Sequence, residues 1–200
     1  MSKLFVFDLD GVLIDSLNNM SIAWETVQSK FGIDTPFDEY KSHIGKPFPS
    51  IMKELGLFNR HFEIFETYKT YSRMHLDKIT LFEGVYETLL DLKRHDCKIA
   101  MVTSKAKDTV SLLEDKLPKF DFISCPKKGL RDKPAPDQLL FTISMCNVDP
   151  KDTFYIGDMI FDQQCAKRAG VHFEYAEWGY GNIECKNSLK SIKDLIKLLD

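Results

Sequence analysis

No stretch of this sequence is apolar for the roughly 18 residues that a membrane span needs, which argues against a membrane partner. Basic charge is not in excess either: 27 Lys and Arg stand against 30 Asp and Glu, for a net charge of −3. Nucleic-acid binders usually carry a basic surplus, so a nucleic-acid partner is not expected. The five cysteines, Cys97, Cys125, Cys146, Cys165 and Cys185, contain no C-x-x-C pair, and their number is odd. They read as reduced thiols, most of them small buried hydrophobes, in a cytoplasmic protein. The five histidines show no metal-ligand spacing. Internal repeats and low-complexity segments are absent. The opening residues run into a strand-like segment too short, and too soon acidic, for a signal peptide.

What is present is an ordinary globular balance: 200 residues, 44% hydrophobic and 28% charged. That is enough for one large domain, or for a core with a modest insertion. Short apolar runs at residues 3–7, 98–102, 120–124, 153–156 and 171–175 read as strands, and near-continuous apolar strands imply a sheet covered on both faces. Between them lie helical patterns: Val85, Leu89 and Leu92; Leu139, Ile143 and Cys146; residues 161–169, closed by Gly170. At the C-terminal end Leu189, Ile192, Ile196 and Leu199 form a further helical stripe. The alternation predicts an α/β fold, a doubly wound Rossmann-like parallel sheet.

One segment breaks that alternation. About 90 residues separate the first strand from the second, far more than a crossover helix requires. Residues 17–80 are helical in pattern, with Met20, Trp24, Val27 and Phe31 on one stripe and Ile64, Tyr68, Tyr71 and His75 on another. The aromatics among them read as core at that spacing. The expected organisation is a core of residues 1–16 and 81–200 with an inserted α-helical subdomain of residues 17–80. The competing arrangement, a larger α/β domain with extra helices on its sheet, is disfavoured because the stretch offers no convincing strand.

In open α/β sheets, active sites lie beyond the carboxyl ends of the strands. After the first strand come Asp8 and Asp10, which share a face by strand alternation, and then Gly11, which permits close backbone approach. After the second come Thr103 and Ser104. After the fourth come Gly157 and Asp158, with Asp162 four residues on, and the proline-rich turn before that strand carries Lys133. Clustered carboxylates repel, so a cation or a shared proton must stabilise them. Asp8, Asp158 and Asp162 offer hard oxygen donors of the kind that suit Mg²⁺. A carboxylate can attack phosphorus, a second can protonate the leaving alkoxide, and a hydroxyl with a lysine can hold the non-bridging oxygens. Each group also has a plain structural role open to it: Thr103, Ser104 and Asp158 as helix caps, Asp162 as a first-turn acid, Lys133 as a solvated lysine.

Asp8-Leu9-Asp10-Gly11-Val12, Val102-Thr103-Ser104, Lys133-Pro134-Ala135-Pro136 and Gly157-Asp158-Met159-Ile160-Phe161-Asp162 together resemble the four motifs of the haloacid dehalogenase superfamily. The segment from Asp162 to Gly170, with Trp178-Gly179-Tyr180-Gly181 beyond the last strand, resembles its phosphoglycolate phosphatase-like branch. The resemblance implies a helical cap at residues 17–80 and Mg²⁺ as cofactor. It implies Asp8 as nucleophile and Asp10 as general acid and base, with the Asp10 carbonyl facing the metal. Thr103, Ser104 and Gly11 would contact the phosphoryl group, and Lys133 would neutralise charge on it. Asp158 would hold the metal, and Asp162 would support the metal or Lys133. Lys46, in the loop Ile44-Gly45-Lys46-Pro47, is equally an exposed turn residue or a contact for a second anionic group of the substrate. Asp10 argues for phosphoryl transfer over dehalogenation, because the dehalogenating members lack an acid there. Met159 departs from the small hydroxyl residue of many relatives.

The expected function is hydrolysis of a small phosphorylated metabolite through an aspartyl-phosphate, by a monomer or homodimer. A phosphomutase of the same fold is the alternative, and a non-catalytic phosphate-binding or phospho-switch protein is the alternative of another class. Trp178 and Tyr180 read as packing residues beside a glycine-shaped turn.

Overall fold

The computed structural model describes residues 2–199. The chain divides into two compact units, one holding residues up to Ile14 and from Leu81 onward, the other Asp15–Thr80. The second unit begins at Asp15, whose carboxylate accepts the Leu17 N–H at 3.2 Å. The chain leaves and re-enters the first unit through two-residue strands, β2 (Ile14–Asp15) and β3 (Thr80–Leu81).

The first unit is built on a six-stranded sheet. Its strands are β1 (Leu4–Phe7), β4 (Lys98–Val102), β5 (Phe122–Ser124), β6 (Thr153–Gly157), β7 (His172–Ala176) and β8 (Ser188–Leu189). They lie in the order β5-β4-β1-β6-β7-β8, and every pairing is parallel. The four β1 residues are all fully buried, as expected of a central strand covered on both faces. β1 runs in register between its neighbours, Leu4 opposite Lys98 and Thr153, Phe7 opposite Met101 and Ile156. On one face Leu4, Val6, Ala100, Val102 and Tyr155 pack against α7 (Asp137–Cys146) and α8 (Ile160–Ala169), through Leu139, Ile143, Cys165 and Ala166. Helix α5 (Val85–Arg94) packs on β4, burying Val85, Leu89 and Leu92, the stripe seen in the sequence. The short helix α6 (Lys107–Val110) follows β4.

The C-terminal end departs from the helical reading. Leu189 lies in β8, paired with Ala176, and a 3₁₀ segment, Ile192–Leu198, follows. Ser191 divides the two: its Oγ accepts the Lys193 N–H and its own N–H reaches Asp194, a reciprocal cap that starts a helical turn and cannot lie within one.

The second unit is helical: α1 (Leu17–Phe31), α2 (Phe37–Lys41), α3 (Phe48–Glu54) and α4 (His61–Met74). Helices α1 and α4 pack together. Asn19 Nδ2 donates to the carbonyls of Ser72 and His75 at 2.7 and 2.9 Å, and Ser72 Oγ donates back to Asn19 Oδ1 at 2.7 Å. Trp24 is fully buried, stacks on Tyr40 at 4.5 Å and donates its indole N–H to Thr35 O. Tyr40 is buried beneath half-buried Tyr68 and Phe48, which lie against it and each other. Among the described residues no helix is long and apolar enough to cross a membrane.

Candidate active site

Parallel strands bring their carboxyl ends to one edge of the sheet. Asp8 follows β1 directly, and its N–H continues the ladder to Ile156 O at 2.9 Å. Thr103 follows β4 and is tied to Ser124 O in the same way. Asp158 follows β6. Asp162 lies in the first turn of α8, where Oδ2 accepts the Met159 N–H at 3.1 Å.

Lys133 reaches this edge from a loop held at several points. Arg131 and Asp137 form a forked ion pair, with Nη2 to Oδ1 at 2.8 Å and Nε to Oδ2 at 3.0 Å. Gln138 holds Asp132, and Arg168 donates to Pro134 O. So fixed, the Lys133 ammonium is buried and bridges Asp8 Oδ1 and Asp162 Oδ1, each at 2.8 Å. Tyr155 O–H also donates to Asp162 Oδ1, at 2.9 Å.

Ligand oxygens of Asp8, Asp158 and Asp162 lie within 4.8 Å of one another, and all three residues are buried. If all three are ionised, one ammonium leaves two negative charges uncompensated. Burial raises the Asp8 carboxyl to about 7; Lys133 opposes the shift and Asp162 adds to it. Burial, then Asp162 and Asp8, hold Asp158 well above the carboxylate range. Burial works against the Lys133 charge, but Asp162 and Asp8 outweigh it and keep the ammonium protonated. Asp158 Oδ2 accepts the Tyr180 N–H at 2.7 Å, whereas Oδ1 is buried with no partner. An orphaned carboxylate oxygen is costly to bury. A cation bound among these oxygens would satisfy it and balance the charge, so the residues present fit a metal ion.

The other expected residues are placed as follows. Gly11 holds φ +85°, and a Cβ there would strike Asp158 Oδ2, so glycine is required by both the turn and the close approach. Thr103 is buried, and its Oγ1 accepts the Lys105 N–H at 3.1 Å; Ser104 beside it is half-buried. Asp10 is paired with Lys105 Nζ at 3.1 Å. Lys46 lies in the helical unit, paired with Glu54 at 3.1 Å.

Three contributors are absent from the sequence reading. Lys105 could have been found as the one cation flanking Thr103-Ser104. Tyr155 looked like any apolar strand residue, and nothing marks its hydroxyl as a partner for Asp162. The Tyr180 contact is a backbone N–H, which no side-chain pattern reports.

The family model described as haloacid dehalogenase-like hydrolase matches residues 5–176. The chain is 28% identical over its whole length to a phosphoglycolate phosphatase of Pseudomonas syringae pv. tomato, covering 79% of that protein. It is 26% identical to a phosphoglycolate phosphatase of Aquifex aeolicus, over 99% of this chain and 97% of the other. The crystal structure of a hydrolase from Pseudomonas syringae superposes with a TM-score of 0.88 at 23% identity, covering 99% of this chain and 98% of that one, and so shares the fold.

Proposed function

Because this chain belongs to the haloacid dehalogenase-like hydrolase family, we propose that it is a Mg²⁺-dependent phosphatase that hydrolyses a small phosphomonoester through an aspartyl-phosphate on Asp8. The observation that carries this reading is the buried Asp8–Lys133–Asp162 bridge beside the orphaned Asp158 Oδ1.

In the first step a carboxylate oxygen of Asp8 bonds to phosphorus as the ester P–O bond breaks. The electron pair leaves on the alkoxide, and Asp10 gives it a proton. The Lys133 ammonium and the Thr103 hydroxyl hold the phosphoryl oxygens as charge shifts among them, both fixed in place beforehand by the contacts above. In the second step Asp10, now a carboxylate, takes a proton from water; the oxygen attacks phosphorus, the Asp8 O–P bond breaks, and inorganic phosphate leaves. The donors for Mg²⁺ are Asp8 and Asp158, with the Asp10 carbonyl and Asp162 in support; an all-oxygen set suits that ion. When bound, it supplies positive charge that favours ionised Asp8 and offsets the phosphoryl charge.

The phosphoglycolate phosphatases among the relatives support a substrate of that kind, a small organic phosphate such as phosphoglycolate, a sugar phosphate or a nucleotide. The helical unit, Asp15–Thr80, is proposed as the family's cap. Five free cysteines support a reducing compartment, the cytoplasm. The test is phosphate release from a panel of phosphorylated metabolites with Mg²⁺, with Asp8→Asn as the blank. Turnover of at least one ester above that blank is expected, and none above it for any ester refutes the reading.

A further inference from the structure

Asp158 is gripped on one side and bare on the other. Its Oδ2 takes the Tyr180 N–H, and its Oδ1 has nothing. The loop that grips it, residues 178–181, is itself tethered by polar atoms. Trp178 Nε1 donates to Val12 O at 3.0 Å, and Tyr180 O–H donates to Ile14 O at 3.2 Å. Val12 lies in the turn that follows Asp8 and Asp10, and Ile14 closes that turn at the start of β2. A third bond, from Tyr175 O–H to Gly181 O at 2.8 Å, anchors the loop to β7.

The glycines explain how the loop comes so close. A Cβ at Gly179 would strike Asp158 Cβ and the Gly11 carbonyl, and one at Gly181 would strike the Asp158 carbonyl. Backbone therefore lies directly on Asp158, a position only glycine permits. Packing accounts for the rings being there. It does not account for both rings spending their polar atoms on carbonyls of the Asp8 turn, nor for the loop occupying one oxygen of Asp158 and leaving the other open.

We propose that residues 178–181 form a positioning loop for the metal site, which orients Asp158 so that Oδ1 alone is presented to a divalent cation and ties it in register with the turn carrying Asp8. Trp178 and Tyr180 are positioning residues: they act through Asp158 and through the carbonyls of Val12 and Ile14. This rests on the metal reading above and adds to it that the site's affinity is set by two aromatic tethers outside the four motifs.

The test is calorimetric titration of metal-free protein with MgCl₂, without substrate, alongside its melting midpoint in EDTA. The variants are Trp178→Phe, Tyr180→Phe and the double variant, which keep an aromatic ring at each position and every carboxylate but remove the tethers. Partners behind metal ligands are typically worth about 10–100-fold in affinity. The double variant is expected to bind Mg²⁺ about tenfold or more weakly than wild type, and each single variant by an intermediate factor. In EDTA each single variant should lower the melting midpoint by only roughly 2–4 °C, the cost of one lost hydrogen bond, with unfolding still one cooperative transition, which separates loss of positioning from loss of fold. Wild-type Mg²⁺ affinity in the double variant overturns the loop's role and leaves the metal site standing. No binding by the wild-type protein overturns the metal site, and the loop's role falls with it. Should the double variant not fold, unchanged affinity in both single variants overturns the proposal equally.

Discussion

Replacing Asp8 by asparagine should abolish a specific pH dependence of stability in the metal-free protein. Burial raises the Asp8 carboxyl from 3.8 to about 7 in the folded chain. Between those values the folded state binds a proton that the unfolded state has released, so stability falls as pH rises. A shift of this size is worth about 4 kcal/mol across the whole window, at about 1.4 kcal/mol per pH unit. Of that, about 2.5 kcal/mol is lost between about pH 5 and about pH 8 by the same linkage. For a chain of this length each kcal/mol moves the melting midpoint by roughly 2–4 °C, giving a drop of roughly 5–10 °C from this carboxyl. The assay is thermal unfolding in EDTA at the two pH values, wild type against Asp8→Asn. The drop of the variant should be smaller than that of wild type by the stated amount. Saturating Mg²⁺ should restore much of the wild-type loss at the higher pH, because it favours the ionised carboxylate in the fold. Equal drops in the two proteins would refute the claim that Asp8 is buried at a cost.

Other outcomes follow from single contacts. Lys105→Met removes a charged partner of Asp10; if that ion pair holds Asp10 in place to protonate the leaving group, hydrolysis of alkyl phosphates should fall by about tenfold or more, within the range of general acid catalysis. Hydrolysis of p-nitrophenyl phosphate, whose leaving group needs no proton, should fall far less, and an equal fall for both would count against the pairing. Tyr155→Phe leaves Asp162 Oδ1 with Lys133 alone and should cost about 1.5–3 kcal/mol in urea unfolding, the usual value of a hydrogen bond to a charged group. In the helical unit, Asn19→Ala strands the buried Ser72 hydroxyl and takes one of two donors from each of the Ser72 and His75 carbonyls, and should cost about 1–3 kcal/mol, read in the same assay.

The sheet was legible because its strands are short, apolar and closed by chemically distinctive residues. Asp8, Thr103 and Asp158 each follow a strand whose pattern announces where it ends. Lys133 was legible only through its motif, since its loop has no periodicity and is held by the Arg131–Asp137 fork and by α8. What stayed hidden shares a physical cause. Lys105 and the Tyr180 N–H act across 95 and 22 residues of sequence, on Asp10 and Asp158, and the Tyr155 hydroxyl meets Asp162 only because the turn after β6 folds α8 back onto the strand; none of these contacts leaves a mark in the local residue pattern. Leu189 shows the opposite failure: it fits a helical stripe by spacing, yet a two-residue edge strand claims it because Ser191 caps the turn that follows.

The position of β1 has a consequence for how the protein is made. This strand lies at the centre of the sheet, but both of its partners are encoded much later, Leu4 pairing with Lys98 on one side and with Thr153 on the other. During synthesis its apolar residues emerge with nothing to pair with, and all of Asp15–Thr80 is made before either partner strand. Long-range parallel pairing is slow to form, and unpaired apolar strands are the ones that aggregate. The nascent chain therefore carries an unpaired apolar strand until Lys98–Val102 has been made, and a chaperone that shields the first ten residues would protect both the sheet and the residue on which the chemistry depends.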